Sequence, residues 1–337
     1  MSDTPMAETP ASIKEPEISV VVPAYNAAST LRRCLNGLLE AGFTPDQIVL
    51  VDDASKDDTP KIAESMGVKP IALTSNGGAA VARNAGARAA SGDVLFFVDA
   101  DVVLHKGAYE RVTRFFRERP EYAALFGAYD VDPPEGGIVS RFRNLLHRHV
   151  HVVNAGEAST FWTGCGAMRR EHFEAVGGFD PAERWVMIED VVLGVNVRNR
   201  GGRIWIDPDL QCTHLKAWTL HSMCKTDLFY RAMPWARLLK TEAGKHASNS
   251  LNLSSAGKFS GLAVAGSLAS LPLAVLSPAA GLALLAGSFG TLAAANGPFL
   301  AFLRRERGAG EAITALPLLW LHYLCACLGF AWVAVRD

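Results

Sequence analysis

Apolar and polar positions along the first hundred residues switch between a strand pattern and a helix pattern. "ISVVVPAYN", from Ile18, is a continuous β-branched apolar run closed by Pro23, as expected of a strand buried on both faces of a parallel sheet. "STLRRCLNGLLEAG" then places Leu31, Leu35, Leu38 and Leu39 on one helical face, with Gly42 in a C-cap position. "QIVLVDDAS" reads as a second strand, and Thr59-Pro60 supplies an N-cap with proline at the first helical position. "KPIALTSN" is a third, shorter strand, "GGAAVARNAGARAASG" an Ala-rich helix bounded by glycines, and "DVLFFVDAD" a fourth strand. This alternation predicts a doubly wound α/β sheet flanked by helices, whose ligands bind beyond the carboxyl ends of the strands.

The carboxyl-terminal third follows another pattern. From Phe259 to Leu303 there is no charged residue, and the run is broken only near Ser277-Pro278. It reads as two apolar spans, 259–276 and 279–303; after "RRERGAGE" a third runs from Ala312 to Val335. Each is close to the ~20 residues needed to cross a hydrocarbon core, and the abundant Ala, Gly and Ser suit close helix packing in lipid. A buried helical hairpin of a soluble domain is the competing reading. Lys240, Lys245 and Lys258 precede the first span, and Arg304, Arg305 and Arg307 lie between the second and third. The positive-inside rule then predicts a multi-pass protein of the cell (inner) membrane with a cytoplasmic α/β domain and an external C-terminus. Trp218, Phe229, Tyr230 and Trp235, among Lys and Arg, predict helices lying at the membrane interface, the alternative being solvated or core helices. The expected organisation is a disordered tail over 1–16, an α/β domain over 17–240 ending in interfacial helices, and a membrane domain of three transmembrane helices over 259–335.

Composition changes this picture little. A net charge of −1 over 337 residues argues against nucleic acid as the main partner. Six cysteines (Cys34, Cys165, Cys212, Cys224, Cys325, Cys327) form no Cys-x-x-Cys pair, which suits free thiols in a reducing compartment. The Pro-rich polar N-terminus has no apolar signal-peptide core.

Candidate chemistry gathers where the strands end. Tyr25 and Asn26 follow the first strand, Asp52 and Asp53 the second, Asp99 and Asp101 the fourth. Asp-x-Asp also occurs at Asp130–Asp132 and Asp207–Asp209, so the tripeptide is weak by itself; only Asp99 closes a long core strand aligned with the other two. Asp57 and Asp58 read as helix caps. A nucleotide diphosphate with Mg²⁺ or Mn²⁺ fits such a crevice, because hard cations take one or two carboxylates plus substrate phosphates. No strand leads into Gly-x-Gly-x-x-Gly, and Gly164-Cys165-Gly166 lacks the third glycine. Walker, Gly-x-Ser-x-Gly and His-Glu-x-x-His motifs are absent.

The segments "VVVPAYNAASTLRRCLNGLL", "IVLVDDASKDDT", "GGAAVARNAGARAASGDVLFFVDADV", "FWTGCGAMRREHFEAVGGFD" and "IEDVVLGVNVRNRGGRIWIDPDLQCTHLK", in this order, resemble the family 2 glycosyltransferases. These are inverting enzymes of the GT-A fold that use nucleotide-sugar donors, and the resemblance covers roughly 17–235. It implies that Pro23, Ala24, Tyr25, Asn26 and Asp53 line the base and ribose site, with Arg83 near the nucleotide. Asp99 and Asp101 become the metal-binding pair, and His214 a third ligand or else a hydrogen-bonded structural histidine. The Glu189-Asp190 pair supplies the base, with Asp190 the stronger candidate; both would also suit a helix N-terminus. Trp162, Thr163, Gly164 and Cys165 fall in the stretch used around sugar and acceptor. Arg169 and Arg170 are phosphate partners or a solvated helix face, and Asp130 a weaker acceptor contact. Processive members carry Gln-x-x-Arg-Trp, whereas this chain has "FYRAMPWARLL", with Arg231 and Trp235; single transfer is therefore expected rather than polymer synthesis. In "HRHVH" only His147 and His151 share a helical face, His149 does not, and no acid stands beside them, which disfavours zinc. The expected activity is transfer of one sugar, from a UDP-sugar by default, to a lipid-linked or membrane-resident acceptor at the cytoplasmic face. An inactive nucleotide-binding membrane scaffold and a sugar nucleotidyltransferase are the alternatives.

Overall fold

The computed structural model describes residues 15–134, 136–183, 187–241 and 255–336. Most of the expected 1–16 tail, and Lys245, lie outside them.

Nine strands form one mixed sheet: β1 (Ile18–Ala24), β2 (Ile48–Asp52), β3 (Ile71–Ala72), β4 (Val94–Val98), β5 (Val102–Leu104), β6 (Tyr122–Tyr129), β7 (Gly156–Ala158), β8 (Cys165–Arg169) and β9 (Arg203–His214). Their order is β3-β2-β1-β4-β8-β6-β9-β5, with β7 also paired to β9. The predicted strands β1 to β4 pair in parallel, β1 lying between β2 and β4, and β6 and β9 form a second parallel pair. Beyond β4 the sheet changes direction: β8 runs antiparallel to both β4 and β6. The parallel strands are continuous apolar runs because helices cover both faces: α1 (Leu31–Glu40) and α2 (Thr59–Ser65) on one, α3 (Ala79–Ala89) on the other. Four further helices complete this part: α4 (Ala108–Glu118), α5 (Ile138–Val153), α6 (Arg170–Ala175) and α7 (Glu189–Asn199).

After β9 the chain forms α8 (Leu220–Lys225), a π-helical segment (Thr226–Ala232) and α9 (Met233–Lys240). The apolar third forms α10 (Ser255–Leu276), α11 (Pro278–Ala295), α12 (Gly297–Arg307) and α13 (Ala309–Arg336). α10, α11 and α13 are each long and apolar enough to cross a membrane. The expected span 279–303 is two helices instead of one. Asn296 ends α11, and Pro298, which has no N–H to donate, sits in the first turn of α12. The Asn296 amide donates to Ser260 Oγ and accepts from the Tyr323 hydroxyl. Trp320 Nε1 donates to Ser267 Oγ, so polar side chains join α10, α11 and α13.

The apolar helices are docked on the α/β domain. Phe142 and Trp218 share one core with Phe299, Phe302, Leu318 and Leu319. His149 rests on the Phe299 and Phe302 rings, Arg141 pairs with Glu311, and Arg307 with Asp132. Farther along α13, His322 bonds Asp227, Gly329 meets Ala232, and Val333 accepts from Lys240. Trp218 is buried in this docking core and Trp235 against Ile188 and Val195 of the α7 region, whereas Phe229 is exposed.

Candidate active site

Arg83, on α3, organises the site. Its guanidinium is 4% exposed and donates through Nη2 to Asp99 Oδ1 and through Nη1 to Glu189 Oε1, both at 2.7 Å. A planar fork can join two carboxylates from distant elements, one ending β4 and one opening α7. The same contact brings the strand-end acids and the Glu189-Asp190 pair into one cleft of about 140 Å³, which Asp101, His214, Trp162 and Thr163 also line. Four of the residues singled out in the sequence as acids or base are thereby neighbours.

Glu189 and Asp190 differ in role. Glu189 is tied to Arg83. Asp190 accepts from the Thr163 amide and hydroxyl and from the Val191 amide, and among the described residues no cation is bonded to it. Burial, and then the neighbouring charge of Glu189, push Asp190 up to about 7, against the pull of Arg83. This carboxyl therefore exchanges its proton near neutrality.

Asp101 and His214 face each other, His214 Nε2 standing 3.5 Å from Asp101 Oδ2. Burial opposes ionisation of Asp101, yet His214 and then Lys216 hold its carboxyl below the ordinary value. The second ring nitrogen of His214 pairs with Asn144 Oδ1 at 2.8 Å, and the ring stacks on Tyr129 at 4.6 Å. With Nδ1 on the Asn144 carbonyl, the ring presents Nε2 to Asp101: protonated, it donates to the carboxylate, and neutral, it completes an oxygen–nitrogen set that suits Mg²⁺ or Mn²⁺. Asp99 Oδ2 is left free by Arg83 to join them. Among the described residues, these side chains are not drawn together into a closed three-ligand group.

Pro23, Ala24, Tyr25, Asn26 and Asp53 lie on the adjoining ends of β1 and β2. The buried Asp53 carboxylate accepts from the Gly77 and Gly78 amides at 2.8 Å each, which clamps the loop that opens α3. Asn26 accepts from Lys56 N and its own amide donates to Ser55 Oγ, joining the two strand-end loops. Asn26 and Ala54 both adopt positive φ, 49° and 62°, so this joint is strained as well as tied. Tyr25 is 46% exposed, an aromatic face open to solvent, and none of these five residues lines the cleft itself. Gly164 is needed for packing, since a Cβ there would lie 2.4 Å from the Trp162 ring.

Several sequence candidates have structural duties instead. Arg169 donates to the Tyr122 and Phe116 carbonyls, and Arg170 to those of Gly92, Ala87 and Ala90, so neither is a free phosphate partner. Asp130 lies outside the cleft, bound to His105 at 3.0 Å and to the Thr213 hydroxyl. Asp207 and Asp209 both pair with Arg111. Asp57 caps its turn as expected, accepting from Ala28 and Thr59. His147 and His151 do share a face, their rings 4.2 Å apart against Trp162, and His151 donates to Gly127 O. Burial keeps both neutral, His151 falling to about 4. The sequence reading missed Asn144, Arg143 and Lys216 as cleft residues; Lys216, two positions past His214, carried the only motif-linked signal.

Known proteins resemble this chain in sequence and in fold. The model of "Glycosyl transferase family 2" matches residues 19–177. Glycosyltransferase GlyG of Streptococcus pneumoniae is 30% identical over 124 residues, covering 35% of this chain and 41% of GlyG. The O-antigen chain rhamnosyltransferase RfbN of Salmonella typhimurium is 23% identical over 240 residues, 65% of this chain and 74% of RfbN. This chain thus spans less than half of GlyG, and 52% of the putative teichuronic acid biosynthesis glycosyltransferase TuaG of Bacillus subtilis. Among solved structures, the mannosyltransferase PcManGT of Pyrobaculum calidifontis, in complex with GDP-Man and Mn²⁺, superposes with TM-score 0.60 at 19% identity, over 96% of this chain and 91% of that one. TarS 1-349 of S. aureus with UDP-GlcNAc gives TM-score 0.52 at 18% identity, over 94% and 90%. These likenesses establish the GT-A-type fold.

Proposed function

We propose, because residues 19–177 match the model of glycosyl transferase family 2, that the chain is a membrane-anchored inverting glycosyltransferase. It transfers one sugar from a nucleotide diphosphate sugar, UDP by default, to a lipid-linked or membrane-resident acceptor. The observation that carries this reading is the Arg83 bridge, which sets Asp190 in the same cleft as Asp99 and Asp101. Asp99, Asp101 and His214 would hold Mg²⁺ or Mn²⁺, which neutralises charge on a departing diphosphate. Tyr25 and the Asn26 and Asp53 loops would receive the base and ribose. Asp190 takes the proton of the acceptor hydroxyl, a task suited to a carboxylate whose affinity for protons lies near neutrality. Glu189 is an anchor rather than a second base, since Arg83 occupies it.

Membrane attachment rests on α10 and α11, with the α/β domain on the cytoplasmic side beside Lys258 and Arg304–Arg307. α13 is a third span by length, but contacts near both its ends, Glu311 with Arg141 and Val333 with Lys240, lay it along the domain. We therefore place the C-terminus on the cytoplasmic side, in place of the external C-terminus expected from charge alone.

Donor hydrolysis with Mn²⁺ tests the activity: wild type should release nucleoside diphosphate, and Asp190→Asn should lose about 100-fold or more. An inactive scaffold turns over in neither. A nucleotidyltransferase releases pyrophosphate instead.

A further inference from the structure

One wall of the cleft is cationic, and the mechanism above does not use it. Arg143 on α5, Lys216 after β9 and Arg231 in the π-helical segment all line the cavity. Arg143 and Lys216 share one indole: their charged groups stand 5.2 Å and 4.3 Å from the Trp218 ring. The Arg143 side chain is 6% exposed and is held by Asp227 at 3.0 Å, while Asp227 also accepts from His322 of α13. Its Nε has no hydrogen-bond partner. Among the described residues, neither Lys216 nor Arg231 pairs with a carboxylate. Trp218, on which two of these cations rest, is packed into the core made with Phe299, Phe302 and Leu318 of the apolar helices. The cationic wall therefore stands at the membrane side of the cleft, with the acids across from it.

Given the transferase reading, on which this rests, we propose that Arg143, Lys216 and Arg231 bind the phosphate or diphosphate of a lipid-linked acceptor whose reacting group is a hydroxyl presented to Asp190. Guanidinium forks match phosphate oxygens, and a lipid phosphate lies at the level of the interface. Burial, and then the charge of Arg231, push Arg143 down to about 10; a bound anion relieves that repulsion. A phosphate nucleophile would need no base, whereas Asp190 is placed as one. In the transfer, the hydroxyl oxygen bonds to the anomeric carbon and its proton passes to Asp190. The anomeric carbon–oxygen bond breaks, and its electron pair leaves with the nucleoside diphosphate.

The phosphate recognised could instead be the donor's, and binding separates the two sources. The full chain in detergent is titrated with farnesyl diphosphate, with farnesol, and with UDP plus Mn²⁺, none of which requires turnover. Wild type should bind farnesyl diphosphate more tightly than farnesol. Arg231→Gln and Lys216→Gln should each weaken farnesyl diphosphate by about 10- to 100-fold, the loss of one charge-assisted partner, and Arg231→Gln, which has no part in the Asp101 pair, should change UDP by less than about twofold. Weakening of UDP equal to or greater than that of farnesyl diphosphate would assign the wall to the donor and overturn the proposal. So would equal binding of farnesyl diphosphate and farnesol, or unchanged binding in both variants. A protein that binds farnesyl diphosphate as described but transfers no sugar would defeat the transferase reading alone.

Discussion

Replacing Asp190 with Asn should stabilise the protein while disabling it, and the gain should depend on pH. Asp190 ionises at about 7 in the folded chain against an ordinary 3.8. The folded state therefore holds its proton more tightly than the unfolded state. The stabilising protonated form is fully present below pH 3.8 and is lost as pH rises to about 7. At about 1.4 kcal/mol per pH unit, the ionised carboxylate costs at most about 4 kcal/mol above neutrality. The substituted carboxamide would carry no charge and its oxygen could still accept from Val191 N, but its NH₂ would face the Thr163 N–H, a loss of about 1 kcal/mol. The net expectation is a gain of about 2–3 kcal/mol at pH 8, or about 5 °C in apparent Tm, shrinking to nothing near pH 4.5. Thermal unfolding of both proteins in detergent with EDTA, from pH 4.5 to 8.5, measures the difference. A gain that is the same at every pH, or a loss at pH 8, would refute the idea that a half-buried, repelled carboxylate is the base.

Arg83→Lys should lower kcat/KM by about 100-fold or more and destabilise the fold by about 3 kcal/mol, because one ammonium cannot serve Asp99 and Glu189 together; calorimetry and donor hydrolysis read the two effects. His151 is held neutral by burial, its value lowered from 6.5 to about 4, so the stability it supports is present above 6.5 and lost as pH falls to about 4. His151→Gln, which keeps a donor for Gly127 O, should remove about 2 kcal/mol of that acid sensitivity, as read by unfolding at pH 7 and pH 4.5. Gly166→Ala should cost about 3 kcal/mol or prevent folding, since its Cβ would lie 2.1 Å from Trp162 O; expression and apparent Tm report it. A cysteine-reactive probe on a C-terminal tag should react only after cells are permeabilised, because Lys240 holds Val333 on the domain's side; labelling of intact cells would restore an external C-terminus.

What could be read from the sequence was whatever depends on local periodicity and on the known direction of strands in a doubly wound sheet. β1 to β4 follow from continuous apolar runs, and so does the placement of Asp53 and Asp99 at strand ends. The antiparallel insertion of β8 between β4 and β6 was not legible, because it pairs segments far apart in the chain with no local signature. The same limit governs the site. Three Asp-x-Asp tripeptides are alike as text, and their partners separate them. Asp207 and Asp209 meet Arg111, Asp130 meets His105 and Thr213, and Asp99 and Asp101 meet Arg83 and His214. Arg83 could be placed near a nucleotide by resemblance, but its double bridge could not, since Glu189 lies 106 positions away. Arg143 and Arg231 were harder still. Arg143 is turned onto the Trp218 ring and Arg231 into the cleft, placements that follow from packing between segments distant in the chain. The apolar helices therefore do more than attach the domain. By seating Asp227 through His322, they help shape the wall that an acceptor arriving from the membrane would meet first.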